Sequence, residues 1–251
     1  MINIALKQRY DDKYFRAQKI VEQWPSLEDK FTSMLTNLNL SQRGECAFIC
    51  LLMMKTGIRV GNENSAEGYI CINRWSDNYA KRVKTFGATT LLKEHVWHKG
   101  NKIYLSFTGK KQVEQSFVID DKFMVLVLQD LIIKTNGTRN LFTVTNNDLT
   151  KFIKRYIGRQ FSPKDLRTAY INRFMSAGFN LTEKIYAGGG HIEDLPISNK
   201  ASVNRLFSYL IQTCAEQVGH TKSVCKRNYI SPLLIETWKK EFYAILERSD
   251  S

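Results

Sequence analysis

Apolar and polar positions alternate along the chain with two periods, and the switches between them mark its elements. From Arg9 to Leu38 apolar residues recur at helical spacing, with Tyr14, Ile20 and Val21 before Trp24-Pro25-Ser26 and Phe31, Leu35 and Leu38 after it. That pattern predicts two helices broken at the proline. Ser41 stands ahead of a run carrying Cys46, Phe48, Ile49, Leu51, Leu52 and Met53, as an N-cap does, and this third helix stops at Lys55-Thr56-Gly57. From Lys84 to Val118 the period becomes two: TTLLKEHVW, KIYLSF and QVEQSFVI predict a three-stranded antiparallel meander with Gly100 and Gly109 in its turns. Helical spacing returns at Asp121, first in the apolar stretch Phe123 to Ile132. It continues in Leu149 to Gln160, where Phe152, Ile153, Tyr156 and Ile157 share one face and basic residues the other, a face suited to phosphates. Ser162-Pro163 opens a further helix through KDLRT. Residues 179–200, with Gly188 to Gly190 and Pro196, are expected to form a mobile loop; helices follow from Ala201 to Gln217 and from Pro232 to Glu247.

The fold class expected is α+β, mainly α-helical, with a three-stranded antiparallel sheet. A single domain is expected over residues 1–251: N-terminal helices in 1–40, a core in 41–178, the loop, and closing helices in 201–251.

Composition narrows the partner. Thirty-seven Lys and Arg against 24 Asp and Glu leave +13, which favours a polyanion, nucleic acid ahead of an anionic membrane. No apolar run suits a bilayer: Phe48 to Met54 is short, and Val125 to Ile133 is interrupted by Gln129 and Asp130. The start of the chain lacks the pattern of a secretory signal, so an intracellular location is expected: cytoplasm or nucleoid, virion, or nucleus. Cys46, Cys50, Cys71, Cys214 and Cys225 are scattered without a CxxC pair, as reduced thiols are. His95 and His98 flank a hairpin turn with no third ligand nearby and are expected at the surface. No metal and no cofactor is therefore expected.

The stretch VGHTKSVCKRNY, Val218 to Tyr229, places a histidine nine residues before a tyrosine, with Lys222, Lys226 and Arg227 around them. A phenol titrates near ~10 and attacks only where fixed positive charge stabilises the group it meets, so these cations favour a phosphate. Upstream, Arg59 in IRVGNE emerges between apolar β-branched residues, Lys110 occupies the tip of the second hairpin turn, and Lys164 and Arg167 share one face of the KDLR turn, where Asp165 can brace them.

This ordered set resembles the type IB DNA topoisomerases, the small poxvirus and bacterial enzymes above all. The resemblance runs from RYDDKY through TGIRVGNE, TFGATTLLKEHV, SFTGKK and SPKDLRT to VGHTKSVCKRNY. It implies the DNA breaking-rejoining fold shared with tyrosine recombinases, and duplex DNA as the partner of a monomer. It also implies roles. Tyr229 attacks a backbone phosphodiester to form a 3′-phosphotyrosyl link, Arg59, Arg167 and His220 hold the phosphate oxygens, and Lys110 protonates the leaving 5′-oxygen with help from Lys164. Lys222, Lys226 and Arg227 are expected as further DNA contacts. One phosphodiester is exchanged for another, so neither ATP nor a metal is implied.

A tyrosine recombinase is the nearest alternative, but such enzymes carry histidine in HxxR where this chain has Lys164 in KDLR, and TFGATTLLKEHV resembles the topoisomerase strand. A basic DNA-binding protein without enzymatic activity is the alternative from another class. The similarity begins close to Met1, which leads to the expectation of a catalytic domain without the family's usual N-terminal β-rich domain, gripping DNA incompletely and relaxing it distributively.

Overall fold

A computed structural model describes residues 4–36, 41–72, 80–135, 137–187 and 198–249. The chain groups into two compact units, Glu22–Arg167 and the combination of Met1–Val21 with Thr168–Ser251.

The Glu22–Arg167 unit is built on α3, Gln42–Thr56, preceded by α2, Trp24–Ser33. The Ser41 hydroxyl accepts from Gly44 N, and Gly57, left-handed at φ 65°, closes the helix with its N–H on Met53 O. Every residue of α3 from Gly44 to Met54 is buried, so the helix has no polar face to show. Its one buried carboxylate, Glu45, accepts from Thr143 N at 2.7 Å, from Val144 N at 3.2 Å and from the Thr143 hydroxyl, which meets the requirement that a buried charge be hydrogen-bonded.

After a short α4, Glu63–Glu67, comes the hairpin β1–β2, Tyr69–Ile72 with Ala80–Val83. The meander follows as β3, Val96–Lys99, β4, Lys102–Gly109, and β5, Val113–Ile119, in the order β3-β4-β5. Ile103, Leu105 and Phe107 face inward with Phe117 and Ile119, whereas Trp97 pairs with Tyr104, and Tyr104 with Val118, on the other face. The first strand is shorter than its alternation suggested: Ala88–Thr90 and Lys93–His95 are 3-10 turns. The stretch between them is held instead by Leu141 N on Leu91 O and Lys93 N on Arg139 O. His95 is not at the surface. It is buried against Phe86 and Phe107, and its Nδ1 accepts from Leu92 N at 3.1 Å. Two helices complete the unit, α5, Lys122–Lys134, and α6, Asn146–Tyr156, the latter opened by a Thr145–Asp148 capping box.

The other unit holds α1, Ile4–Glu22, most of α7, Pro163–Ala187, and α8, Lys200–Gln217, α9, Lys222–Asn228, and α10, Pro232–Ser249. Its core joins Ile171, Met175 and Phe179 of α7 to Leu206, Phe207 and Cys214 of α8 and Trp238 and Phe242 of α10. The expected loop begins later than Gly178. Buried Met175, Phe179 and Thr182 keep a helical stripe running, so α7 continues to Ala187, and a Cβ at Gly178 would meet only Leu210 at ordinary contact distance. Residues 188–197, including the three glycines, lie outside the described residues. Cys46, Cys50, Cys214 and Cys225 are buried thiols outside any disulfide; burial, with Asp148 and Glu45 nearby, pushes the Cys46 thiol up to about 12. Among the described residues no helix is long and apolar enough to cross a membrane.

Candidate functional site

Arg59 sits on the six-residue segment between α3 and α4. Its carbonyl accepts from Ala88 N at 2.7 Å, and Val60 O accepts from both the N–H and the hydroxyl of Thr89. The close fit depends on Gly87, where an added Cβ would stand 2.5 Å from Gly61 N and 2.7 Å from Arg59 O. TGIRVG and TFGATT therefore fold as one structure, which is the physical content of their joint occurrence. Arg167, 2% exposed in the first turns of α7, donates to the carbonyl of Gly57, two residues before Arg59. Asp165 braces the start of this helix rather than leaving its turn exposed: its carboxylate accepts from Ser162 N at 3.0 Å and from the Ser162 hydroxyl at 2.6 Å. Lys164 is exposed in the same turn.

Lys110 opens the three-residue turn between β4 and β5 and is exposed. The two residues after it, Lys111 and Gln112, take φ of 64° and 59°, uncommon for residues with a Cβ. Phe86 N donates to Thr108 O near the end of β4, tying this turn to the Gly87 segment. As a result Lys110 and Arg59 line one cavity of about 490 Å³, together with Gly61, Asn62, Ser65 and Phe86. Three of the five expected catalytic residues are thus anchored to one neighbourhood within the Glu22–Arg167 unit.

The other two meet in the second unit. Helix α8 ends in a Schellman motif, with Gly219 left-handed at φ 63°, its N–H on Glu216 O, and His220 N on Ala215 O. Thr221 immediately caps α9, its hydroxyl accepting from Val224 N. The stop and restart set His220 beside the far end of α9, where the Tyr229 ring lies 5.0 Å from the imidazole. Tyr229 is 6% exposed. Lys226 and Arg227 are exposed and line a cavity of about 430 Å³ with Tyr14, Ser223 and Ile230. Lys222 is half-buried and donates to the Ser208 hydroxyl on α8. Among the described residues no group of three or more His, Cys, Asp or Glu is placed to hold a metal ion.

The profile of the family described as "Eukaryotic DNA topoisomerase I, catalytic core" matches residues 3–244. The chain belongs to this family. DNA topoisomerase 1B of Acanthamoeba polyphaga mimivirus is 26% identical over 180 residues, 66% of this chain and 51% of the relative. DNA topoisomerase 1B of vaccinia virus (strain Copenhagen) is 27% identical over 174 residues, and DNA topoisomerase I of monkeypox virus 26%, each covering 68% of this chain and 51% of the relative. The chain spans about half the length of these curated relatives.

Two residues of this topoisomerase-family chain outside the expected catalytic set act on the Tyr229 segment. Asn172, on α7, donates to Tyr229 O at 2.7 Å and Thr168 O at 2.8 Å while accepting from Ser231 N at 3.1 Å, so one side-chain amide holds the backbone on both sides of Ile230. Lys13, on α1, donates to Asn228 O and places its ammonium 5.5 Å from the Tyr229 ring centroid. Lys13 falls within RYDDKY, but nothing in that motif points to Tyr229, and Asn172 follows SPKDLRT with no signal beyond a polar residue on a largely apolar helix.

Proposed function

We propose that the chain is a type IB DNA topoisomerase that relaxes supercoiled duplex DNA through a transient 3′-phosphotyrosyl intermediate, with Tyr229 as nucleophile. The observation that carries this beyond family membership is the His220–Tyr229 pair, with a ring separation of 5.0 Å on a helix stop and restart that fixes both side chains. In this reading the Tyr229 oxygen forms a bond to phosphorus as the bond to the 5′-oxygen breaks, and Lys110, assisted by Lys164, delivers a proton to that oxygen. Lysine fits the role because it can lose a proton, which arginine does not. Arg59, Arg167 and His220 hydrogen-bond the non-bridging oxygens as charge builds on them. Religation is the reverse transfer. Because one phosphodiester replaces another, no ATP is consumed and no metal is obligatory.

Both units act together as one catalytic domain in this proposal, and the protein works as an intracellular monomer on duplex DNA. The +13 charge supplies a field for phosphates, so binding weakens steeply as salt rises. Lys226 and Arg227 contact the backbone near the cut, and Lys222 does so by leaving Ser208. In the DNA-free chain Tyr229 is 6% exposed, so docking must open access to its hydroxyl.

The test is relaxation of supercoiled plasmid without ATP or magnesium, with denaturing gels for the protein–DNA adduct. Tyr229→Phe keeps the buried ring and removes only the hydroxyl, so it is expected to bind duplex DNA but to give neither adduct nor relaxation. Relaxation by the Phe variant, or site-dependent strand exchange in place of relaxation by the unaltered protein, would overturn the proposal.

A further inference from the structure

A second concentration of charge lies in the Glu22–Arg167 unit, at the end of α3 opposite the Arg59 segment. It is centred on Tyr156, the last residue of α6. The Arg43 guanidinium lies 5.2 Å and that of Arg155 5.5 Å from the Tyr156 ring centroid, while Lys30 donates to Tyr156 O at 2.8 Å. Beneath them Phe152 stacks on Tyr156 and packs against Phe31, so the platform is fixed by the core. Lys151, Lys154 and Arg155 share one face of α6 at spacings of three and four, and Arg159 is exposed in the turn after the helix. All six cations are exposed, and among the described residues none forms an ion pair with a carboxylate. Asp148, the acid one turn before Lys151, is hydrogen-bonded by Thr145 at the start of the helix, and the Thr145 bonds, with Lys151 nearby, hold its carboxyl below the usual range.

Basic residues in the last turn of a helix suit its dipole, and that accounts for Lys154 and Arg155 of α6 and for Lys30 of α2. It does not account for Arg43, which stands at the unfavourable start of α3, or for Lys151 and Arg159. Six like charges gathered from three elements repel one another unless an anion spans them. The evenly spaced phosphates of a duplex do so, releasing counterions as they bind. The distance fits a flank of the duplex being cut. Arg43 lies fourteen positions before Gly57, whose carbonyl anchors Arg167. At ~1.5 Å per residue they stand roughly 21 Å apart, which for a duplex running along α3 is about six base-pair steps of ~3.4 Å.

We infer that the Tyr156-centred face of Lys30, Arg43, Lys151, Lys154, Arg155 and Arg159 is a phosphate-binding surface for the flank of the cleaved duplex, about six base pairs from the cut. It rests on the proposed function. The face sets how long a duplex must be for full affinity, and it reads no base sequence.

The decisive variant is Lys151→Gln, Lys154→Gln and Arg159→Gln together, because these three make no hydrogen bond or ring contact among the described residues. Once the position of the cut is mapped, binding is measured against salt for a duplex reaching roughly twelve base pairs to either side and for one trimmed to about four, short of the estimated reach. On the long duplex the slope of log affinity against log salt is expected to fall by about 0.9 for each phosphate no longer neutralised, about 2 to 3 in all. On the short duplex the variant and the unaltered protein should match. An unchanged slope on the long duplex overturns the inference, and so does a difference that persists on the short one, since the face would then serve a separate segment of DNA. Failure is separable from failure of the proposed function: an unaltered protein that forms no tyrosyl adduct sinks both, whereas adduct formation with an unchanged slope sinks this inference alone.

Discussion

Replacement of Asn172 probes how Tyr229, the proposed nucleophile, is held. Its side chain makes three hydrogen bonds, two of them to Tyr229 O and Ser231 N, so truncation to alanine deprives both backbone groups of this partner. An unsatisfied buried polar group costs ~1–3 kcal/mol, and because Asn172 is half-buried, water compensates in part and the lower end applies. The expected loss is about 2 kcal/mol of stability. Asn172→Asp is the sharper variant. It has the same shape and can still accept from Ser231 N, but it turns a carboxylate oxygen on the carbonyls of Tyr229 and Thr168, where acceptor faces acceptor. The backbone at Tyr229 should shift, and since misplacement by about 1 Å costs up to ~100-fold in rate, single-turnover cleavage of a labelled duplex should fall at least tenfold while duplex affinity stays within about twofold. Thermal unfolding gives the stability change in parallel. Cleavage at the unaltered rate by a variant that has lost the expected stability would show that Asn172 supports the fold and does not place the nucleophile.

Lys13→Met keeps an apolar stem on α1 but removes the ammonium beside Tyr229; a cation over an aromatic ring contributes about 0.5–1 kcal/mol, so cleavage should slow roughly two- to fivefold with little change in unfolding temperature, and Lys13→Arg should restore most of it. Gly87→Ala drives a Cβ into the backbone at Gly61 and Arg59; overpacking of this kind costs ~1–3 kcal/mol, and both stability by calorimetry and plasmid relaxation should fall, whereas loss of neither would show that the segment yields freely. His95 makes folding depend on pH. Burial holds its imidazole below the usual 6.5, so the unfolded chain takes up a proton that the folded one accepts only at lower pH. The stability present above ~6.5 is lost as pH falls through the folded value; unfolding midpoints should drop between about pH 7.5 and pH 5, and His95→Phe should remove that part of the drop.

The helices were legible because each carries its own punctuation: Ser41 and Gly57 around α3, Ser162-Pro163 before α7, and the apolar stripes of α8 and α10. Misreadings fell where tertiary contacts outweigh local pattern. TTLLKEH alternates like a strand, yet the fit of Gly87 against Gly61 and the pairing of Leu91 and Lys93 with residues 139–141 bend it into turns. His95 resembles a surface histidine until Phe86 and Phe107 close around it. Gly178 looks like a helix end, but a glycine ends a helix only where the backbone must turn left-handed, and here the stripe through Phe179 and Thr182 continues past it.

The same distinction separates the residues that carry the proposed chemistry from those that place them. Arg59, Lys110, Arg167, His220 and Tyr229 each sit at or near an element end, where capping and turn signals make a reactive residue conspicuous within a few positions of sequence. Gly219 shows how far such local logic reaches: its left-handed conformation ends α8, Thr221 starts α9, and the seven residues of that helix bring Tyr229 back to His220. Lys13 and Asn172 act across 215 and 57 residues. No spacing rule connects them to Tyr229, because what makes them partners is the packing of α1 and α7 in one unit with the turn after α9. A chain that keeps every proposed catalytic residue but alters Asn172 should therefore retain the family's motifs and lose rate, which makes Asn172 the position where motif and function come apart.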